Sequence, residues 1–471
     1  GRLMTETRTG AKRPRPTRAS SSRRVAYDVI AAVRESDAYA NLLLPVRLAE
    51  AGLDAADSAL ATELTYGTLR GLGRYDRVIE IAAGRPTHKI DAEVLDVLRL
   101  GVHQLLSTRI PPHAAVDEAV QLTLALGRRS ASGFVNGVLR SIARKPAEEW
   151  FADTLNGLTG DARLAMEHAH PRWIVEAFRA ALGAEDRADE LDELLHADNL
   201  PPAVSLVALP GLAEPAEVGR AGGVSPVAVR SPGGDPRSVP LVASGRVRVQ
   251  DEGSQLAALA LTRARPVRAG ERWLDLCAGP GGKAALLAAE ALRGDAELVA
   301  NELVPARAGL VRNALSVFDA PPIVLEGDGT RFGSGTDAEA PGRYDRILLD
   351  APCTGLGALR RRPEARWRKQ RSDVAELAPL QSGLLDAAIA ALAPGGLIAY
   401  VTCSPHLAET RDTVAAALER HPALRVVDTP AVLSQIATSE LELPPGPAVQ
   451  LWPHRHGTDA MFIQLLTTLE S

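Results

Sequence analysis

The sequence predicts a multidomain chain: an all-α domain at the N-terminal end, a small α+β connector, and a C-terminal α/β domain built on a parallel sheet. Three observations lead there. Apolar residues recur at three- and four-residue steps through about residues 21–145. Mixed patterning with a Gly/Pro-rich stretch fills residues 149–245. After Val247, short apolar strands alternate with helical segments, the pattern of a sheet covered on both faces. A length of 471 residues with 46% apolar content suits two to four domains with sizeable cores.

Residues 1–20 are rich in Arg, Pro, Ser and Thr and read as a disordered basic arm. Residues 1–24 hold eight Lys or Arg against one acid, Glu6, in a chain of net charge −5. A basic arm ahead of an acidic body suits a polyanion contact, and equally a solvated tail. In the helical domain, residues 21–148, Leu95, Leu98, Val102 and Leu105 share one face, Asp91 can cap that helix, and Pro111-Pro112 breaks the chain after it. Further helices are expected over 114–126 and 132–142. In the connector, residues 149–245, a helix is expected over 171–182, a strand over 203–209 and a loop over 222–240. The last domain, residues 246–471, should carry strands at 272–277, 298–302, 323–326, 346–350 and 397–402, with helices at 284–292 and 306–318.

No apolar run approaches the roughly 20 residues that span a bilayer, and no signal-peptide pattern opens the chain, so a cytoplasmic protein is expected. The three cysteines, Cys277, Cys353 and Cys403, make no disulfide framework. No His/Cys cluster has zinc spacing, and no metal is expected. Lysine is also scarce, five against many arginines, so Lys283 inside a glycine-rich motif stands out.

Five motifs carry chemistry. Cys277-Ala278-Gly279-Pro280-Gly281-Gly282-Lys283 follows an apolar strand and opens a helix. Its glycines let backbone approach a ligand, and the helix start offers free N–H groups to an anion such as the carboxylate of S-adenosylmethionine. The spacing fits neither a P-loop nor a dinucleotide fingerprint. Glu302 closes the next strand, about where an acid accepts ribose hydroxyls. Asp328 follows the third strand, placed either for an adenine amino group or for an ordinary Asp-Gly turn. Asp350-Ala-Pro-Cys353 and Thr402-Cys403-Ser-Pro405 each end an apolar strand. The carboxyl ends of strands in an open α/β sheet face one crevice, so these residues should share a rim. One such cysteine alone reads as a small buried hydrophobe; all three at strand ends do not.

Two thiols suit methylation of a cytosine ring. Carbon 5 of cytosine is a weak nucleophile, and a thiolate added at carbon 6 makes it an enamine. Asp350 can bond the ring nitrogen and amino group of the base. A second thiolate could take the carbon-5 proton and free the enzyme.

The ordered set CAGPGGK, Glu302, Asp328, DAPC and TCSP resembles the Sun-type RNA cytosine-5 methyltransferases, as does Val249–Gln255 before it. The helical half, through ATELTYGTLRG (61–71), LRLGVHQLL (98–106), IPPHAAVDEAV (110–120) and SGFVNGVLR (132–140), is similar to the NusB RNA-binding domain. The resemblance implies a Rossmann-like class I methyltransferase domain, S-adenosylmethionine as methyl donor, 16S ribosomal RNA as substrate and no obligate protein partner. It implies Cys403 as nucleophile and Cys353 as the residue that resolves the adduct. It puts the cofactor on Cys277–Lys283, Glu302, Asp328 and Asp350. The chain departs from the family pattern at Gly279, where Ala is commoner and the change is expected to be tolerated. It also has Glu302 for Asp, Glu409-Thr410 for Glu-Asn, and GTDAMF at 457–462. A non-catalytic NusB-like RNA-binding or antitermination factor is the alternative from another class; the cysteine pair and the glycine loop argue against it. A methyltransferase acting on DNA or protein is disfavoured by the two-cysteine pattern.

Overall fold

The computed structural model describes residues 21–333 and 343–469. They fall into two compact units that divide between Gly157 and Leu158. The expected basic arm, residues 1–20, lies outside the described residues. Two cations counted with it do not. Arg23 and Arg24 belong to the helix Ser21–Ser36. There Arg23 Nε donates to Gln104 Oε1 at 2.8 Å and Arg24 pairs with Asp28. These are partnered helix charges, so the basic run overstates the arm.

The first unit is all-α among its described residues, with its core drawn from helices that include Ala55–Ala83, Ala92–Ser107 and Ser132–Ala143. The helix read from Leu95, Leu98 and Val102 buries all three. Asp91 Oδ1 accepts from the backbone of Glu93 and Val94, satisfying two of the donors a helix start leaves open. Pro112 opens the next helix, Pro112–Ala125, at a position whose N–H would be unpaired anyway.

In the second unit β1 (Ser205–Ala208) is the centre of a small antiparallel sheet between β2 (Ala228–Arg230) and β3 (Val247–Val249). The expected loop over 222–240 therefore contains a strand. At three residues β2 is too short to show alternation, and its pairing, Leu206 opposite Val229, joins segments far apart in sequence.

The main sheet has β4 (Arg272–Asp275), β5 (Glu297–Asn301), β6 (Ile323–Leu325), β7 (Tyr344–Asp350), β8 (Leu392–Thr402), β9 (Leu424–Val426), β10 (Ala448–Gln450) and β11 (Phe462–Thr468). Its order is β10-β11-β8-β7-β4-β5-β6, with β9 also on β11. β4 to β8 are parallel as expected. β11 runs antiparallel to β8, β9 and β10, so the sheet is mixed rather than wholly parallel. Side chains alternate between two cores. Leu397, Ala399 and Val401 of β8 face the helices Glu252–Thr262 and Gly282–Arg293. Ile398 and Tyr400 face the helix Arg371–Ala391. From β4 the chain builds outward through β5 and β6, then returns to β4's other side with β7. That reversal opens a crevice at the strand carboxyl ends between β4 and β7. No helix among the described residues is long and apolar enough to cross a membrane.

Candidate active site

The glycine loop leaves β4 at Asp275 and is pinned on both sides. Leu276 N donates to Leu348 O of β7 at 3.0 Å, and Ala278 N to Asn301 O of β5 at 2.8 Å. Gly281 adopts φ 113°, and a Cβ there would lie 2.9 Å from the Ala314 methyl and 3.1 Å from Val311 Cα. Only glycine meets both demands. The helix Gly282–Arg293 starts beyond it with no side-chain cap on its free N–H groups.

Asp275, which the sequence motifs did not single out, is buried in this loop's base, and neither carboxylate oxygen meets a hydrogen-bond donor at bonding geometry. Burial, then the charge of Asp350, pushes its carboxyl up to about 8; the Cys277 N–H offsets a little of this. Its signal in the sequence is an acid closing an otherwise apolar strand. Burial and the Asp275 charge push the Cys277 thiol well up, and its side chain packs against the second core. Among the three cysteines it is thus a loop-packing residue rather than a reactive thiolate.

Glu302 directly follows β5 and is buried. Its carboxylate accepts from Gly279 N at 3.2 Å and Val304 N at 2.9 Å. Arg307 Nη2 donates to Gly279 O at 2.8 Å. A Cβ at Gly279 would lie 2.4 Å from Glu302 Oε1. That oxygen is the far end of a flexible side chain, so an alanine there would make Glu302 shift, whereas glycine leaves room for the longer acid. Asp328 stands after β6 on an exposed turn, where its Oδ1 accepts from Thr330 N at 2.9 Å and Thr330 Oγ1 at 2.7 Å.

The two remaining cysteines meet. Ala351 N donates to Val401 O at 2.9 Å, joining the ends of β7 and β8. Cys353 Sγ and Cys403 Sγ lie 3.6 Å apart, as free thiols in contact. Asp350, at the end of β7, accepts from Lys283 Nζ at 2.8 Å, which ties the glycine-loop helix to the DAPC turn. The hydrogen bond from Cys353 is the chief influence lowering Cys403. Burial and Asp350 oppose it, while the cations Lys283 and Arg362 assist. Cys353 is pushed the other way by the same bond, by burial, and by the charges of Cys403 and Glu409. One sulfur is thus biased to carry the negative charge and the other the proton.

These residues fit S-adenosylmethionine. The uncapped helix start suits its carboxylate, the orphaned Asp275 carboxylate suits its ammonium, and Glu302 at the β5 end suits its ribose. Glu409 stood out in the sequence only as half of an atypical pair, yet it is buried between the two cysteine turns.

Residues 264–467 match the family model described as 16S rRNA methyltransferase RsmB/F, and residues 20–144 match the NusB family. A Mycobacterium tuberculosis protein named as a methyltransferase is 50% identical, over 97% of this chain and 98% of its own length. Ribosomal RNA small subunit methyltransferase B of Salmonella newport is 34% identical over 84% of this chain and 89% of its own. Among solved structures, PH0851 aligns with TM-score 0.77 at 22% identity over 96% of this chain and 99% of its own. NSun6 from Pyrococcus horikoshii aligns with TM-score 0.50 at 16% identity over 64% of this chain and all of its own. Both share the fold.

Proposed function

The chain belongs to the 16S rRNA methyltransferase RsmB/F family with an N-terminal NusB-family domain, and from that premise we propose that it methylates carbon 5 of a cytosine in 16S ribosomal RNA through Cys403 and Cys353. Ribosomal RNA methylation with S-adenosylmethionine is the family's activity. When bound, the cofactor supplies an electrophilic methyl on a sulfonium. The carbon-5 assignment and the covalent route rest chiefly on one observation, the pair of thiols 3.6 Å apart at the ends of β7 and β8.

In this reading the Cys403 thiolate adds to carbon 6 of the flipped-out base, and the ring's electron pair moves to carbon 5. Asp350, at the β7 end, holds the ring nitrogen and amino group, while Lys283 holds Asp350. Carbon 5 then takes the methyl. Once Cys403 is bonded to carbon, its charge no longer holds the proton on Cys353. Cys353 can then release its proton to solvent and, as a thiolate, accept the carbon-5 proton as the bond between Cys403 and carbon 6 breaks. That last step restores the ring double bond and the Cys403 thiolate. Neighbouring cations support the roles: Lys283 and Arg362 act on Cys403.

The test separates attack from release. Cys403→Ala should abolish methylation and leave no covalent complex. Cys353→Ala should accumulate an RNA–protein adduct that survives denaturing electrophoresis, because attack proceeds and release fails. A Cys353→Ala enzyme that turns over at the wild-type rate would sink this division of roles.

A further inference from the structure

Glu409 is fully buried on the short turn after the TCSP strand end, and no ion pair of the described residues includes it. Its carboxylate is held by neutral donors instead. Oε1 accepts from Thr354 N at 2.8 Å and Gln381 Nε2 at 3.3 Å. Oε2 accepts from Thr354 Oγ1 at 2.7 Å and Ser404 Oγ at 2.5 Å. Thr354 is the residue after Cys353, and Ser404 the residue after Cys403. One carboxylate therefore grips the chain beside each sulfur. Gln381 extends the grip, since its Nε2 also donates to Pro352 O at 2.9 Å. On the far side Tyr400 OH donates to Glu409 O at 2.6 Å, which anchors the turn to β8.

A buried carboxylate without a cation is expensive unless donors surround it, and apolar packing would join two loops at lower cost. Its presence between these two loops asks for a role that needs both its reach and its charge. We propose that Glu409 is a positioning residue for the thiol pair: it holds the two cysteine turns in register, and its negative charge adds to the influence of Cys403 that leaves the proton on Cys353, so that Cys403 is the sulfur that attacks. The second half rests on the reading of Cys403 and Cys353 given above.

The charges around the pair agree with this direction. Glu409 and the ionised Cys403 face Cys353. Lys283 and Arg362 face Cys403, with Asp350 opposing them. His406, on the same turn, is itself pushed down by burial, which leaves it neutral near pH 7. Negative charge thus gathers on the Cys353 side and positive charge on the Cys403 side.

Glu409→Gln tests the charge. Its amide oxygen can still accept from Thr354 N, and its NH2 can donate to the Thr354 and Ser404 hydroxyls once these rotate. The register is kept and the charge is lost. Thiol alkylation of the full-length protein, read cysteine by cysteine by mass spectrometry from pH 6 to 9, needs no RNA. The expected result is an unchanged melting temperature and a Cys353-to-Cys403 labelling ratio raised about tenfold per unit by which the Cys353 thiol is released. kcat should fall with KM for RNA unchanged. Glu409→Asp keeps the charge and shortens the reach, so its labelling ratio should stay near wild type while kcat falls. A wild-type labelling ratio and pH profile in Glu409→Gln overturns the proposal, as does an equal change in both variants. Failure of the underlying reading looks different: the adduct would then be trapped on Cys353 in a Cys403→Ala enzyme, whatever the labelling ratio.

Discussion

Asp275 carries a charge problem that the surrounding protein groups do not solve. Its oxygens are buried without bonded donors, and its carboxyl is pushed up to about 8, chiefly by burial. An unfolded aspartate titrates near 4. Between those values the folded chain binds a proton that the unfolded chain does not, so stability falls as pH rises from about 4 through about 8. Asp275→Asn removes that proton linkage. Its melting temperature should exceed wild type most at pH 8.5 and least near pH 5, while S-adenosylmethionine binds more weakly because its ammonium loses an anionic partner. A difference between the two proteins that is constant with pH would refute the linkage. The neighbouring Cys277 thiol, pushed far up, contributes no charge over this range. Asp275 also shows what was hidden at the residue scale. The sequence displays an acid at a strand end, but its isolation depends on strands β5 and β7 closing over it.

At the scale of elements, strands β4 to β8 were legible because each is a short apolar run that ends in a motif. β9 and β10 span three residues each, too few for alternation to register. β11 reads Phe-Ile-Gln-Leu-Leu and is buried on both faces, so it shows no period of two. Its antiparallel course against β8 was therefore invisible, and with it the reason for the preceding GTDAMF segment. That segment packs beneath Cys403 through Gly357. Gly357 N donates to Cys403 O at 2.8 Å, and Ala460 N donates to Gly357 O at 2.9 Å. A Cβ at 357 would lie 2.2 Å from Ala460 O and 2.8 Å from Cys403 O, both backbone atoms that cannot swing aside. Gly357→Ala should therefore destabilise the protein by about 1–3 kcal/mol, as overpacking does, and lower kcat by displacing the Cys403 turn. Denaturant unfolding with single-turnover kinetics checks both. A stable variant of normal rate would show that the turn yields more easily than its contacts imply. The Glu409 grip was illegible for a related reason: its partners Thr354 and Ser404 lie 50 residues apart along the chain.

At the scale of the whole molecule, charge is divided unevenly along the chain, and that division bears on RNA. Residues 1–24 hold eight cations and one acid, while the chain's net charge is −5. The body therefore repels a polyanion on balance, and attraction must come from local patches or from the arm. Arg23 and Arg24 do not count toward the arm, because Gln104 and Asp28 already engage them on a helix. A deletion that stops at residue 18 leaves that helix whole and removes Arg2, Arg8, Lys12, Arg13, Arg15 and Arg18. Each cation that neutralises a phosphate contributes roughly 0.7–0.9 to the slope of log affinity against log salt. If all six engage RNA, the deletion should make the slope shallower by up to about 4–5. Affinity should fall most at low salt, and kcat on saturating RNA should hold because the cysteine rim is untouched. Filter binding of full-length and shortened protein to a 16S ribosomal RNA fragment between 50 and 200 mM salt, a range of about fourfold, measures the slope. Equal slopes would assign RNA binding to the folded units alone, and would leave the six cations as a solvated tail.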